Sequence, residues 1–127
     1  MPQILMLHRV LPEFNSNNYY FQRNTAISWK RFVNLLDEIE VSGMHTLTVS
    51  ALSKAPLRNS VFLTFDDGYA DNSEALNEIL RRGMVATLFP VKQFIQDDFS
   101  PIDDMAFQLM KCCGVSQELY SSLLEGR

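Results

Sequence analysis

The run Val61-Phe62-Leu63-Thr64-Phe65 has the β-branched and aromatic composition of a strand covered on both faces, and it stops at Asp66-Asp67-Gly68. Two carboxylates therefore stand where the strand should end. Downstream, Asp71 and Glu74 form an Asp-x-x-Glu pattern ahead of Ala75, Leu76, Ile79 and Leu80, which predicts a helix starting just past the acidic pair, with Asp71 as its cap. Strand, acidic turn and helix in that order imply a parallel α/β architecture. In such folds ligands bind at the carboxyl ends of the strands, so a carboxylate pair there points to function more than to stability.

Adjacency limits what the two acids can do. Neighbours on an extended strand point to opposite faces, so Asp66 and Asp67 are not expected to flank one bond as the paired acids of a glycosidase do. Separate tasks suit them better, one carboxylate binding a metal and the other taking a proton from metal-bound water. The plainer alternative is that the pair only starts a turn and caps the helix. Phosphoryl transfer on an aspartate fits neither as Asp-x-Asp, which needs an intervening residue, nor as adjacent acids at the end of a first strand.

With 127 residues the chain is expected to form a single domain, 1–127, with a modest core. A net charge of -4 and the lack of a basic patch argue against nucleic acid and anionic membrane as partners. The opening MPQILMLHRV is too short an apolar run for a leader or a membrane span, from which a cytoplasmic location is expected. Cys112 and Cys113 are adjacent, so no disulfide framework is expected, and burial as small apolar residues is the favoured reading over a redox or metal pair.

In chain order, Gln3–Leu7 reads as a first buried strand ending at His8 and Arg9. If it runs parallel to the Val61 strand, His8 lies near the acidic pair. It is then a structural histidine, a residue lining a sugar site, or a stand-in metal ligand. Arg9 either pairs with a carboxylate of the acidic turn or meets solvent. Residues 11–26 read as a loop with an aromatic tip, Tyr19-Tyr20-Phe21, suited to packing or, less readily, to stacking on a sugar. Ser28 is a predicted N-cap, with Trp29, Phe32, Val33, Leu36 and Ile39 on one helical face up to Gly43. Further strands are expected at His45–Val49 and Val85–Phe89, with a helix over 72–82 between the Val61 strand and the last. The tail is expected to hold one helix from Ser100-Pro101 to Gly114, with Ile102, Met105, Ala106, Leu109 and Cys113 on its apolar face, and a second over 116–125.

Thr64-Phe65-Asp66-Asp67-Gly68-Tyr69 resembles the first motif of the polysaccharide deacetylase family, metal-dependent carbohydrate esterases that remove acetyl groups from N-acetylated sugars. ILMLHRVLPE at 4–13 is similar to that family's opening strand, and the segment from Ile27 to Val49 to its next helix and strand. The resemblance implies hydrolysis of a carbon-nitrogen bond in a non-peptide amide, within carbohydrate metabolism. It implies a divalent metal, zinc in type, and assigns Asp66 as catalytic base, Asp67 as metal-binding carboxylate and the Tyr69 backbone N–H as a donor to the oxyanion. Of the three readings of His8, lining the sugar site is the one that would make it a substrate-binding residue.

The same resemblance calls for an HxxxH motif after the Val85 strand and for later motifs with an arginine and an acidic histidine, yet no histidine follows His45. The expected fold is the N-terminal portion of a distorted (β/α) barrel, with about four mainly parallel strands, flanking helices and a helical tail, where a closed barrel of this kind has about seven or eight strands. Such a portion leaves an apolar sheet edge. Two expectations follow: part of a deacetylase inactive by itself, or a non-catalytic remnant or subunit that binds glycan or a protein partner. A homodimer or a complementing chain would cover the edge.

Overall fold

The computed structural model describes residues 2–53, 58–96 and 102–114. They fall into two compact units, Met1–Val91 and Lys92–Arg127.

The first unit is built on one long strand. Its elements are β1 (Gln3–Leu7), β2 (Arg9–Leu11), α1 (Tyr19–Gln22), β3 (Ala26–Ser28), α2 (Trp29–Val41), β4 (His45–Thr46), β5 (Ser60–Asp67), α3 (Ser73–Arg81) and β6 (Thr87–Pro90). All pairing is parallel. β1 lies along one edge of β5, from Gln3 opposite Val61 to Leu7 opposite Phe65. The other edge is shared by β4 at its start, with His45 opposite Ser60, and β6 at its end, from Thr64 opposite Thr87 to Asp67 opposite Pro90. β2 and β3 form a separate two-stranded parallel ladder.

The β-branched run of β5 is covered on both faces, as its composition predicts. Val61, Leu63 and Phe65 join Leu7, Val10 and Met84 against Phe32, Leu36 and Ile39 of α2 and Ala75 and Ile79 of α3. On the opposite face Phe62 and Thr64 are buried as well. Each large apolar side chain so enclosed contributes about 1.5–3 kcal/mol. Ser28 caps α2 as expected, its hydroxyl accepting from Arg31 N–H at 3.3 Å, and Gly43 follows with φ +67°. Phe32, Leu36 and Ile39 of the predicted stripe are buried, and Trp29 and Val33 are half-buried.

Two strands are shorter than their composition suggests, and threonine hydroxyls explain both. Val49 N–H donates to Thr87 Oγ1 at 2.9 Å, and a 3₁₀ turn at Val49–Ala51 replaces the end of the predicted His45–Val49 strand. Val85 N–H donates to Thr46 Oγ1 at 2.9 Å, so ladder pairing of the last strand begins only at Thr87. The 11–26 stretch is more ordered than a loop: β2 and β3 sit at its ends and α1 within it, with Asn18 capping through Tyr20 N–H. Its aromatic tip packs. Tyr19 is buried, and Phe21 meets Phe14 edge-on at 5.0 Å.

At the far end of α3, Arg81 and Arg82 are held in salt bridges to acidic residues. Arg81 donates two bonds to Glu78 and Arg82 a third, while Arg82 also reaches Asp37 and Glu40 of α2. The Arg81 and then the Arg82 hydrogen bonds hold the Glu78 carboxyl down at about 2, and Glu78 with Asp37 pushes the Arg82 guanidinium up.

The second unit contains α4 (Lys92–Gln96) and α5 (Ile102–Cys113), followed by Gly114 at φ +64°. The expected burial of Cys112 and Cys113 is not found; both are exposed and neither is in a disulfide. Met105 of the predicted apolar face is also exposed, because α5 turns it, like the Cys113 end, toward solvent. The helix predicted over 116–125 lies outside the described residues. Among the described residues no helix is long and apolar enough to cross a membrane.

Candidate active site at the carboxyl end of the central strand

β5 delivers Asp66 and Asp67 as its last two residues, opposite Phe89 and Pro90 of β6. The chain then turns sharply, because Asp67 has φ +70° and Gly68 φ +74°. A left-handed non-glycine residue costs about 1–2 kcal/mol, tolerated best by Asn and Asp, and strain of this kind gathers at functional sites. Gly68 is required here for a second reason: a Cβ on it would lie 3.0 Å from Pro90 Cβ and 3.1 Å from Pro90 Cα. The strict opposite-face argument for the two acids ends at Asp66, since the left-handed step at Asp67 breaks strand alternation.

After the turn, Tyr69 leads into a 3₁₀ turn at Ala70–Asn72 and then into α3. The expected cap does not form. The N-cap residue of α3 is Asn72, without a side-chain capping bond, and the Asp71 carboxylate is directed instead to Arg9. Arg9 wins that competition with a charge-assisted pair, Nε and Nη2 both donating to Asp71 Oδ2 at 2.8 and 2.5 Å, where a cap would supply one bond to a neutral amide. Of the two readings of Arg9, pairing with the acidic turn is the one observed. Its guanidinium carbon also lies over two aromatic rings, 4.1 Å from the Tyr20 ring centre and 4.4 Å from that of Tyr69.

Asn72 is fully buried, and its amide joins the two strand exits. Oδ1 accepts from Val10 N–H at 3.1 Å, and Nδ2 donates to the His8 carbonyl at 2.6 Å. His8 is the residue after β1, whose last registered pair is Leu7 with Phe65, so it stands level with Asp66 at the same end of the sheet. The structure thus brings His8, Asp66, Asp67 and Tyr69 to one end of the parallel ladder. His45 begins β4 beside Ser60, at the opposite end, as its position in the sequence implied.

Sequence reasoning missed Asn72 altogether. An Asn between an acidic turn and an amphipathic helix reads as a cap, and nothing local says that its partners lie at His8 and Val10. Beside this region is a cleft of about 430 Å³ lined by Val10, Pro12, Trp29, Asp71, Ser73 and Glu74. Asp66 and Asp67 are not among its walls.

A zinc-type centre needs about three protein ligands. Among the described residues no group of three His, Cys, Asp or Glu side chains could hold a metal ion. Asp66 and Asp67 offer two carboxylates on adjacent residues, so the described residues do not by themselves fit a metal.

The fold is shared with known proteins. The structure is similar to a de-N-acetylase from Aggregatibacter actinomycetemcomitans, with TM-score 0.63, 22% identity, 80% of this chain covered and 40% of that one. It is also similar to two Bacillus structures, a candidate polysaccharide deacetylase from Bacillus anthracis (TM-score 0.57) and a polysaccharide deacetylase from Bacillus cereus (TM-score 0.56). Each is 20% identical, with 70% of this chain and 29% of the other covered. The chain thus spans well under half the length of these structures, whose (β/α) barrel it shares in part. No curated protein sequence matches it significantly. The polysaccharide deacetylase family model matches residues 53–116, 64 of the 127 positions, covering β5, the Asp66–Tyr69 turn and α3. On that match the chain belongs to the polysaccharide deacetylase family.

Proposed function

We propose that this chain supplies the catalytic turn of a hydrolase that removes acetyl groups from an N-acetylated glycan. The observation that carries the reading is the left-handed Asp67–Gly68 turn after Asp66, at the carboxyl end of the central strand of a deacetylase-family fold. Asp66 is the general base and accepts the proton of the attacking water. The carbonyl oxygen of the acetyl group becomes negative as the new carbon-oxygen bond forms, and the Tyr69 N–H donates to it. The carbon-nitrogen bond then breaks, giving acetate and an amino sugar, with the proton for the amine supplied by an acid beyond the described residues.

Asp67 is the carboxylate this chain would offer to a divalent metal, zinc in type, with the other ligands drawn from outside the described residues. His8, level with Asp66, is proposed to line the sugar site. A second reading rests on β1, which ends the ladder order and, on the sheet face opposite Leu5 and Leu7, exposes Ile4 at 65% and Met6 at 62%. That apolar face beside an open edge suits a non-catalytic subunit docked on a second copy or on a complementing chain.

The test is acetate release from an N-acetylglucosamine oligomer by the full native polypeptide carrying Asp66→Asn. Loss of a general base lowers turnover by about 10²–10⁴-fold. Turnover equal to wild type in this variant would overturn the assignment, and a native polypeptide with no activity but a stable dimer would favour the second reading.

A further inference from the structure

We propose that Arg9 is the positioning residue of the acidic turn, holding the Tyr69 backbone N–H in place for the oxyanion from a strand that is distant in sequence. The inference rests on the reading of that N–H as an oxyanion donor.

Asp67 and Gly68 are both left-handed, and a turn of that kind persists only when its surroundings over-determine it. On one flank Gly68 lies against Pro90. Beyond the turn, three contacts tie it to the exit of β1. The Tyr69 ring lies on one side of the Arg9 guanidinium, the Asp71 carboxylate takes two of its N–H bonds, and the buried Asn72 amide clips the backbone of His8 and Val10 on either side of it. The Tyr20 ring also meets the guanidinium, its centre 4.1 Å from the guanidinium carbon.

Arg9 is therefore clamped before it clamps. Its own backbone is fixed by N–H to Thr25 carbonyl (3.2 Å) and by the β2–β3 ladder, so it cannot follow Tyr69 if the turn moves. Lysine cannot replace it, because an ammonium lacks the planar fork that bonds Asp71 while presenting flat faces to two rings. With its guanidinium spent on Asp71 and the tyrosines, Arg9 acts through Tyr69 and Asp71 and needs no contact with substrate.

The experiment is ¹⁵N relaxation on the labelled chain as wild type, Arg9→Gln and Arg9→Lys, with Arg82→Gln as a control that removes an ion-pair network at the other end of α3. A rigid backbone amide has an order parameter of about 0.85 and a flexible one below about 0.6. The expected result is a fall across that range at Gly68 and Tyr69 in both Arg9 variants, with Leu63 unchanged, and no fall at Tyr69 in Arg82→Gln. Order parameters at Gly68 and Tyr69 that stay at wild-type values, or that fall equally at Leu63, overturn the proposal.

In the full native polypeptide the same variants should lower kcat by about 10²-fold with KM nearly constant, the signature of a misplaced group. A loosened turn with unchanged kcat overturns the positioning role. If Asp66→Asn is as active as wild type, the deacetylase reading fails, and the relaxation result still decides whether Arg9 holds the turn.

Discussion

Gly68→Ala separates two costs that usually come together. Gly68 and Gly83 share nearly the same backbone, φ +74° and +70°, yet a Cβ at Gly83 meets nothing within 4 Å while one at Gly68 meets the Cα and Cβ of Pro90. The left-handed conformation alone costs alanine about 1–2 kcal/mol at either site. At Gly68 the added carbon must also push β6 away from β5, and forcing atoms into a packed site costs about 1–3 kcal/mol more. The sum is about 2–5 kcal/mol for Gly68→Ala against about 1–2 for Gly83→Ala. Trp29 is the single tryptophan and packs on the core of the first unit, so its fluorescence follows that unit alone during urea unfolding. With an m value of about 2 kcal/mol per M, Gly68→Ala should lower the midpoint by roughly 1–2.5 M and Gly83→Ala by roughly 0.5–1 M. Equal shifts for the two variants, at unchanged m, would refute the argument that Pro90 makes glycine obligatory.

Acid should weaken the α2–α3 contact in a defined window. The Glu78 carboxyl is held at about 2 in the folded chain against 4.5 when free. A lowered folded value means its contribution is present above 4.5 and is lost as pH falls toward 2. The urea midpoint of wild type should therefore exceed that of Glu78→Gln at neutral pH, and the two should converge by about pH 2; curves that stay parallel from pH 7 to 2 would refute the coupling. Asn72→Ala leaves the buried Val10 N–H and the half-buried His8 carbonyl without their side-chain partner, and should cost roughly 1–3 kcal/mol by the same fluorescence assay.

The scaffold was legible wherever chemistry is local. Ser28 before the Trp29–Ile39 stripe gave α2, the β-branched Val61–Phe65 run gave the doubly covered β5, and Gly68 marked the turn. What escaped reading depends on partners far along the chain. The three-residue strands β2 and β3 have no periodicity to detect, and each exists because the other does. Asp71 has the spacing of a cap, but a guanidinium from another strand outbids a neighbouring amide. The 430 Å³ cleft is likewise invisible, since Val10, Trp29 and Glu74 meet only in three dimensions. The two cysteines show the limit of composition: apolar character predicts burial only when the helix face carrying it is covered.

The bonds of Asn72 to Val10 and His8 span 62 and 64 residues, and the Arg9 bonds to Asp71 span 62. Closing so long a loop is entropically slow, and it is accomplished only when β1 docks on β5. The acidic turn is therefore expected to set late in folding, with helix α3 formed beside a turn still free to sample right-handed backbone until the first strand arrives. Weakening this latch should leave the folding rate nearly untouched and show itself as faster unfolding. In a chain emerging from the ribosome, β1 must wait, unpaired, until β5 has been made.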